Sequence, residues 1–200
     1  RAADPSSPRS RSSARAAREK LARAKGDLAT VAWLLDRRVP GLAAEEQKAT
    51  LNDLITIYDG LGQAAQAAAM LERALQLAPD DGALREALGD RLLAAGEVDR
   101  AQQIFQTLLE QKSKQKRGKD LGRLQHKIGA VAEKRGDLKT AGEQYAAAFQ
   151  TGPTYPPVLV ALGRMHLVAS EWEKARRYYR QLLMQNCEAA VKIEAYTELA

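Results

Sequence analysis

The side chains best suited to chemistry in this chain are few and scattered. His126 and His166 are its only histidines and Cys187 its only cysteine. Metal binding needs several such ligands at short, regular spacing, and these three do not have it. No HExxH stretch occurs, and the glycine-containing run GKDLGR at 118–123 lacks the Gly-Lys-Ser/Thr ending of a phosphate loop. No local motif suggests a Ser/His/Asp set. The residue types therefore give no argument for an enzyme, and neither cofactor nor metal is expected.

Two cationic stretches remain. Lys112, Lys114, Lys116, Arg117, Lys119, Arg123 and Lys127 follow one another with only Asp120 opposing them. Such a run can hold phosphates or an acidic partner. It also suits a solvated helix end, where cations complement the helix dipole, followed by a flexible loop. No aromatic residue interleaves these cations, which argues against single-stranded nucleic acid. The second stretch is Arg176-Arg177-Tyr178-Tyr179-Arg180, read as core at Tyr179, partly exposed at Tyr178 and outward-facing at the arginines.

The elements that must position these residues are helices. Good helix formers dominate, hydrophobic residues make up 45% of the chain and aromatic residues only 5%. That balance favours close helix–helix packing over one bulky core. The net charge of +6 is unevenly spread. Residues 1–47 carry ten cations and six anions, residues 48–111 five and ten, and residues 112–200 sixteen and nine. An acidic middle between basic ends fits a patterned protein-binding surface at least as well as nucleic acid. One cysteine forms no internal disulfide; this suits the cytoplasm by default and is compatible with a periplasm. No apolar run approaches the roughly 18 residues of a membrane span. Alanine and arginine richness points to a GC-rich bacterial source.

Self-similarity organises the chain. Segments starting at Lys48, Gly82, Gly122 and Pro156 share a pattern. An early pair (Leu54-Ile55, Leu88-Gly89, Ile128-Gly129, Leu162-Gly163) is followed seven residues on by a turn residue (Gly62, Gly96, Gly136, Ser170). Alanine comes five residues later (Ala67, Ala101, Ala141, Ala175), then a large apolar residue four further on (Leu71, Phe105, Tyr145, Tyr179). Pro79 and Pro153 close two of the units. The spacing predicts helix pairs joined by tight turns, with glycine supplying positive φ. Small residues at Gly129 and Gly163 let the second helix approach the first. KGDLATV at 25–31 parallels RGDLKTA at 135–141 and predicts an upstream pair at about 14–25 and 28–38, ending at Pro40-Gly41.

This order of small, large and proline marks resembles the tetratricopeptide repeat family, whose unit is about 34 residues. The resemblance implies an all-α, right-handed superhelical solenoid of antiparallel helix hairpins. The expected organisation is a disordered tail or linker at 1–13 and an array over 14–200. Within the array come a degenerate N-terminal hairpin at 14–47 and repeats at 48–81, 82–115, 122–155 and 156–189. Six extra residues, 116–121, break the phase, and 190–200 starts a further or capping helix, with the array expected to continue. Trp33 is expected to pack within the first hairpin and Trp172 against the loop of the fourth.

The resemblance also implies a protein-interaction scaffold whose first helices line a concave groove for a partner's peptide or helix. Face position carries over to Asn52, Thr56, Asp59, Glu86, Asp90, Arg123, His126, Lys127, Ala130, Glu133 and Arg164. A carboxylate clamp for C-termini is disfavoured: Thr56 follows Asn52 one turn on, and Glu86 with Asp90 would repel a carboxylate. Two other readings stand beside this one. One is a nucleic-acid-binding module using 112–127; the other is a regulatory or assembly arm of a longer enzyme or envelope protein. The partner's identity and the oligomeric state are unread.

Overall fold

The computed structural model describes residues 8–114, 118–185 and 188–199. Among them the chain forms eleven α-helices, one short 3-10 turn and no strand. It divides into two compact units, residues 1–96 and 97–200.

In the first unit, α1 (Pro8–Ala24) and α2 (Leu28–Asp36) pair, a 3-10 turn (Val39–Gly41) follows, and α3 (Ala44–Gly60) pairs with α4 (Ala64–Leu77) before α5 (Gly82–Ala94). α1 opens six residues ahead of its expected start at Ala14. Proline is favourable at the first helical position, because its N–H would be unpaired there anyway. Residues 1–7 of the expected tail lie outside the described residues. Packing runs between helices consecutive in the chain. Its centre is Leu51, Leu54 and Ile57 of α3, against Met70 and Ala74 of α4 on one side and Val31, Leu35 and Val39 on the other.

The second unit holds α6 (Val98–Lys114), α7 (Gly118–Lys134), α8 (Leu138–Thr151), α9 (Pro156–Val168), α10 (Trp172–Leu183) and α11 (Ala189–Leu199). Tyr145 and Ala148 of α8 pack with Val158, Ala161 and Leu162 of α9. Leu159 packs with Ala175, Tyr179 and Leu182 of α10. Fully burying a leucine such as Leu159 stabilises by about 1.5–3 kcal/mol.

The hairpin turns form where the glycine pattern places them. Gly26, Gly62, Gly96 and Gly136 have φ between 68° and 85°, and Ser170, at the equivalent place in the last hairpin, has φ 59°. Around each of four turns an N–H reaches back five residues to a helix carbonyl: Asp27 to Ala22, Gln63 to Tyr58, Asp137 to Ala132 and Glu171 to His166. This bond closes the helix end and requires the left-handed residue before it. The shared Gly-Asp-Leu-x-Thr wording also has a cause. Asp27 accepts from the Thr30 N–H and Asp137 from the Thr140 N–H, each at 3.0 Å, capping the second helix.

The small residues of the first helices are there for contact. A Cβ on Gly129 would lie 2.5 Å from Tyr145 Cε1, and one on Gly163 would lie 2.7 Å from Tyr179 Cζ. The extra residues at 116–121 differ from expectation. Helix continues to Lys114 and resumes at Gly118, so α6 and α7 each run 17 residues, against 13 for α9 and 14 for α8. Most of the insertion is spent lengthening α7 rather than making a long loop. Lys116 and Arg117 lie outside the described residues, as does Cys187.

Trp33 and Trp172 are more exposed than packing residues would be. Trp33 is about half exposed, with the guanidiniums of Arg18 and Arg37 at 5.7 and 4.9 Å from its ring. Trp172 is 63% exposed at the first position of α10, the same repeat position as the exposed Leu138 of α8. A side chain there projects back over the turn and past the hairpin, because helical Cβ atoms point toward the N-terminus.

Candidate protein-interaction surface

The polar residues of the first helices fall into two groups, one in each unit. On α3, Asn52, Thr56 and Asp59 recur at i, i+4 and i+7, which puts them on one stripe. All three are exposed, and the Thr56 hydroxyl donates to the Asn52 carbonyl at 3.0 Å. Asp59 is tied: Arg91 of α5 donates to both its carboxylate oxygens, at 3.0 and 2.6 Å. Glu86 and Asp90 lie on α5, half-buried, and both are engaged in polar interactions.

The second unit repeats this device. Glu133 of α7 accepts from Arg164 of α9 at 2.7 and 2.9 Å and from the Tyr145 hydroxyl at 2.7 Å. Burial, and then the Glu133 carboxylate beside it, push the Tyr145 phenol well above its ordinary range. Asp59 and Glu133 stand three residues before their turn glycines, so they share one repeat position. Each links its first helix to the first helix of the following repeat. Two further ion pairs stand beside these: Arg73 of α4 with Asp36 of α2, and Arg135, just after α7, with Asp99 of α6.

His126 sits deeper than a groove-lining residue. Its ring lies 5.4 Å from that of Tyr145 and 5.7 Å from that of Tyr155. Burial, reinforced by the Lys127 charge, lowers its pKa to about 4. It is therefore a neutral wedge joining α7, α8 and the start of α9. His166 plays a different part: it stacks on Tyr178 with the rings 3° from parallel, and its Nδ1 meets Glu171 at 2.6 Å. The two histidines serve separate packing sites. Sequence reasoning missed the partners Arg91 and Tyr155; the signal for Arg91 was a lone cation about one repeat beyond Asp59.

Residues 60–124 match the family model for the tetratricopeptide repeat. That stretch is tetratricopeptide-repeat sequence. Solved structures of the same fold agree. One is a structure of MamA, 16% identical, with a TM-score of 0.59, covering 90% of this chain and 96% of that one. YrrB, described as a tetratricopeptide-repeat protein with an unusual peptide-binding site, is 17% identical with a TM-score of 0.54, covering 90% and 88%. The repeats of a putative kinesin light chain from Podosopora anserina are 17% identical with a TM-score of 0.57, covering 92% and 96%. No curated protein sequence matches the chain. At these identities the structural likeness speaks to fold.

In this helical frame the basic stretch is less uniform than its sequence. Lys112 reaches Asp120 at 3.8 Å and Arg123 reaches it at 3.2 Å, joining the end of α6 to the start of α7. Lys127 lies 5.4 Å from the centre of the Phe105 ring. Lys114 is exposed, and the side chain of Lys119 lies outside the described residues. No helix among the described residues is long and apolar enough to cross a membrane.

Proposed function

We propose that this chain is a protein-interaction scaffold that receives a peptide or helix of a partner on the polar faces of its first helices. The observation that carries the reading is the stripe Asn52, Thr56 and Asp59 on α3. Asn52 and Thr56 are exposed while Leu51, Leu54 and Ile57 of the same helix are buried. The helix thus spends its apolar side on its neighbours and offers an amide and a hydroxyl outward. Amides and hydroxyls recognise backbone groups of an extended segment, as groove-binding repeats do. The Asp59–Arg91 and Glu133–Arg164 pairs fix the spacing of successive first helices within each unit. A preordered surface binds with less entropy cost than one that must be assembled.

A photo-crosslinking amino acid at Asn52 tests this in extract from the native source. The reading expects a discrete protein adduct at Asn52 that is absent when the same group replaces Glu143 on a second helix. Identical adducts at both positions, or none at Asn52, contradict it.

A further inference from the structure

We propose that the outer face of α10 is a second interaction surface, separate from the first-helix stripe, which docks a carboxylate-rich segment of a partner protein. Arg176, Arg177 and Arg180 are all exposed. Among the described residues, none of the three guanidiniums is in an ion pair, a side-chain hydrogen bond or a ring contact. Several arginines elsewhere are engaged: Arg91 with Asp59, Arg135 with Asp99, Arg164 with Glu133, and Arg37 on Trp33.

The three cations are framed by exposed apolar side chains. Trp172, 63% exposed, stands one turn before Arg176, and Met184, 85% exposed, one turn after Arg180. At about 100° per residue, Trp172, Arg176, Arg180, Met184 and Arg177 share a sector of about 140°. Ala175, Tyr179 and Leu182 occupy a separate, adjoining sector that faces the core. The patch runs about 18 Å along the helix.

The fold does not require these cations. The equivalent positions of α8, 34 residues earlier, hold Gly142, Glu143 and Ala146. What distinguishes α10 is therefore surface chemistry. Three arginines with a tryptophan and a methionine match the composition of protein–protein contact patches, where Trp, Met and Arg are enriched. Guanidinium forks fit carboxylates in two-point contact. Glu173, and Glu171 shared between Lys174 and His166, keep negative charge at the N-terminal end of the same helix and set a limit on the partner. They would repel a continuous phosphate surface, such as a membrane or a nucleic acid, yet they leave room for a short acidic segment lying across Arg176, Arg177 and Arg180.

The test uses the whole chain and a fluorescein-labelled oligoglutamate peptide of about six residues, whose extended length of about 20 Å matches the patch. Binding is followed by anisotropy. The proposal expects Arg176→Gln/Arg177→Gln/Arg180→Gln to weaken binding by about tenfold or more. A control with equal charge loss, Lys25→Gln/Lys134→Gln/Lys139→Gln, should weaken it by less than about twofold. In a Trp33→Phe background, Trp172 emission should shift to the blue on binding. Equal weakening by both triple variants would reduce the patch to net charge and overturn the proposal. So would tighter, arginine-dependent binding to phosphatidylserine vesicles or to a single-stranded oligonucleotide, or no binding of the peptide. The substituted residues are exposed, so circular dichroism should be unchanged. The variants leave Asn52 and Thr56 intact, so this result stands apart from the first-helix reading.

Discussion

Arg91 on α5 closes on both carboxylate oxygens of Asp59 on α3, joining the first helices of two successive repeats. Glu133 and Arg164 make the same kind of link in the second unit. The acidic partner is a residue that sequence reasoning assigned to ligand binding; in the structure its carboxylate holds successive first helices together.

The Asp59–Arg91 link is partly solvated, with side chains 34% and 31% exposed. A double-mutant cycle with Asp59→Asn and Arg91→Gln should give a coupling of about 0.5–1 kcal/mol in urea unfolding. The coupling should shrink as salt is raised. A coupling of zero at low salt would mean the pair is incidental.

Gly129 and Gly163 are contact residues, and adding atoms there has a defined cost. Gly129→Ala pushes a methyl into the Tyr145 ring and Gly129→Leu more so, with an expected loss of about 1–3 kcal/mol. Combining Gly129→Ala with Tyr145→Leu should cost less than the sum of the two, because the clashing ring is gone. Strict additivity in denaturant melts would count against this contact.

His126 should make the fold acid-sensitive. Its folded pKa of about 4 lies below the ordinary value of 6.5, chiefly through burial. The unfolded chain therefore binds the extra proton first, and stability falls as pH drops from about 6.5 to about 4. Across that window the loss is on the order of 2–3 kcal/mol. His126→Gln should flatten this part of the stability–pH curve, read by melts at fixed ionic strength. Lys127, Glu133 and Arg164 are near enough to shift the midpoint, but they do not reverse its sign.

Asp27 and Asp137 add a second, more acidic region. The bonds each makes with its threonine hold their carboxyls below the usual range. Their capping is present above the ordinary carboxylate pKa and is lost as pH falls through the lowered one. Asp137→Asn should keep the cap at neutral pH while removing its acid response, since asparagine caps as well as aspartate. Asp137→Ala should lose both, seen as faster amide exchange in the first turn of α8.

Much of this fold was legible because backbone geometry leaves marks in sequence. Left-handed turns favour glycine, and close helix contacts demand Gly129 and Gly163. Helix ends just ahead of Pro79 and Pro153 are equally readable. The fate of residues 116–121 was not, since an insertion can lengthen helices or make a loop with the same composition. His126 looked like a surface residue because polarity alone does not reveal the Tyr145 and Tyr155 rings that enclose it. The arginines of α10 were correctly placed outward, but that they lack partners is visible only once every neighbouring carboxylate has a position.

The central claim is that the first-helix stripe on α3 binds a partner protein. Its most direct test is titration calorimetry of the partner captured at Asn52 against the unaltered chain and against Asn52→Arg/Thr56→Arg. The account predicts at least a tenfold loss of affinity, about 1.4 kcal/mol, with the melting curve unchanged. Undiminished affinity in the double variant would contradict it.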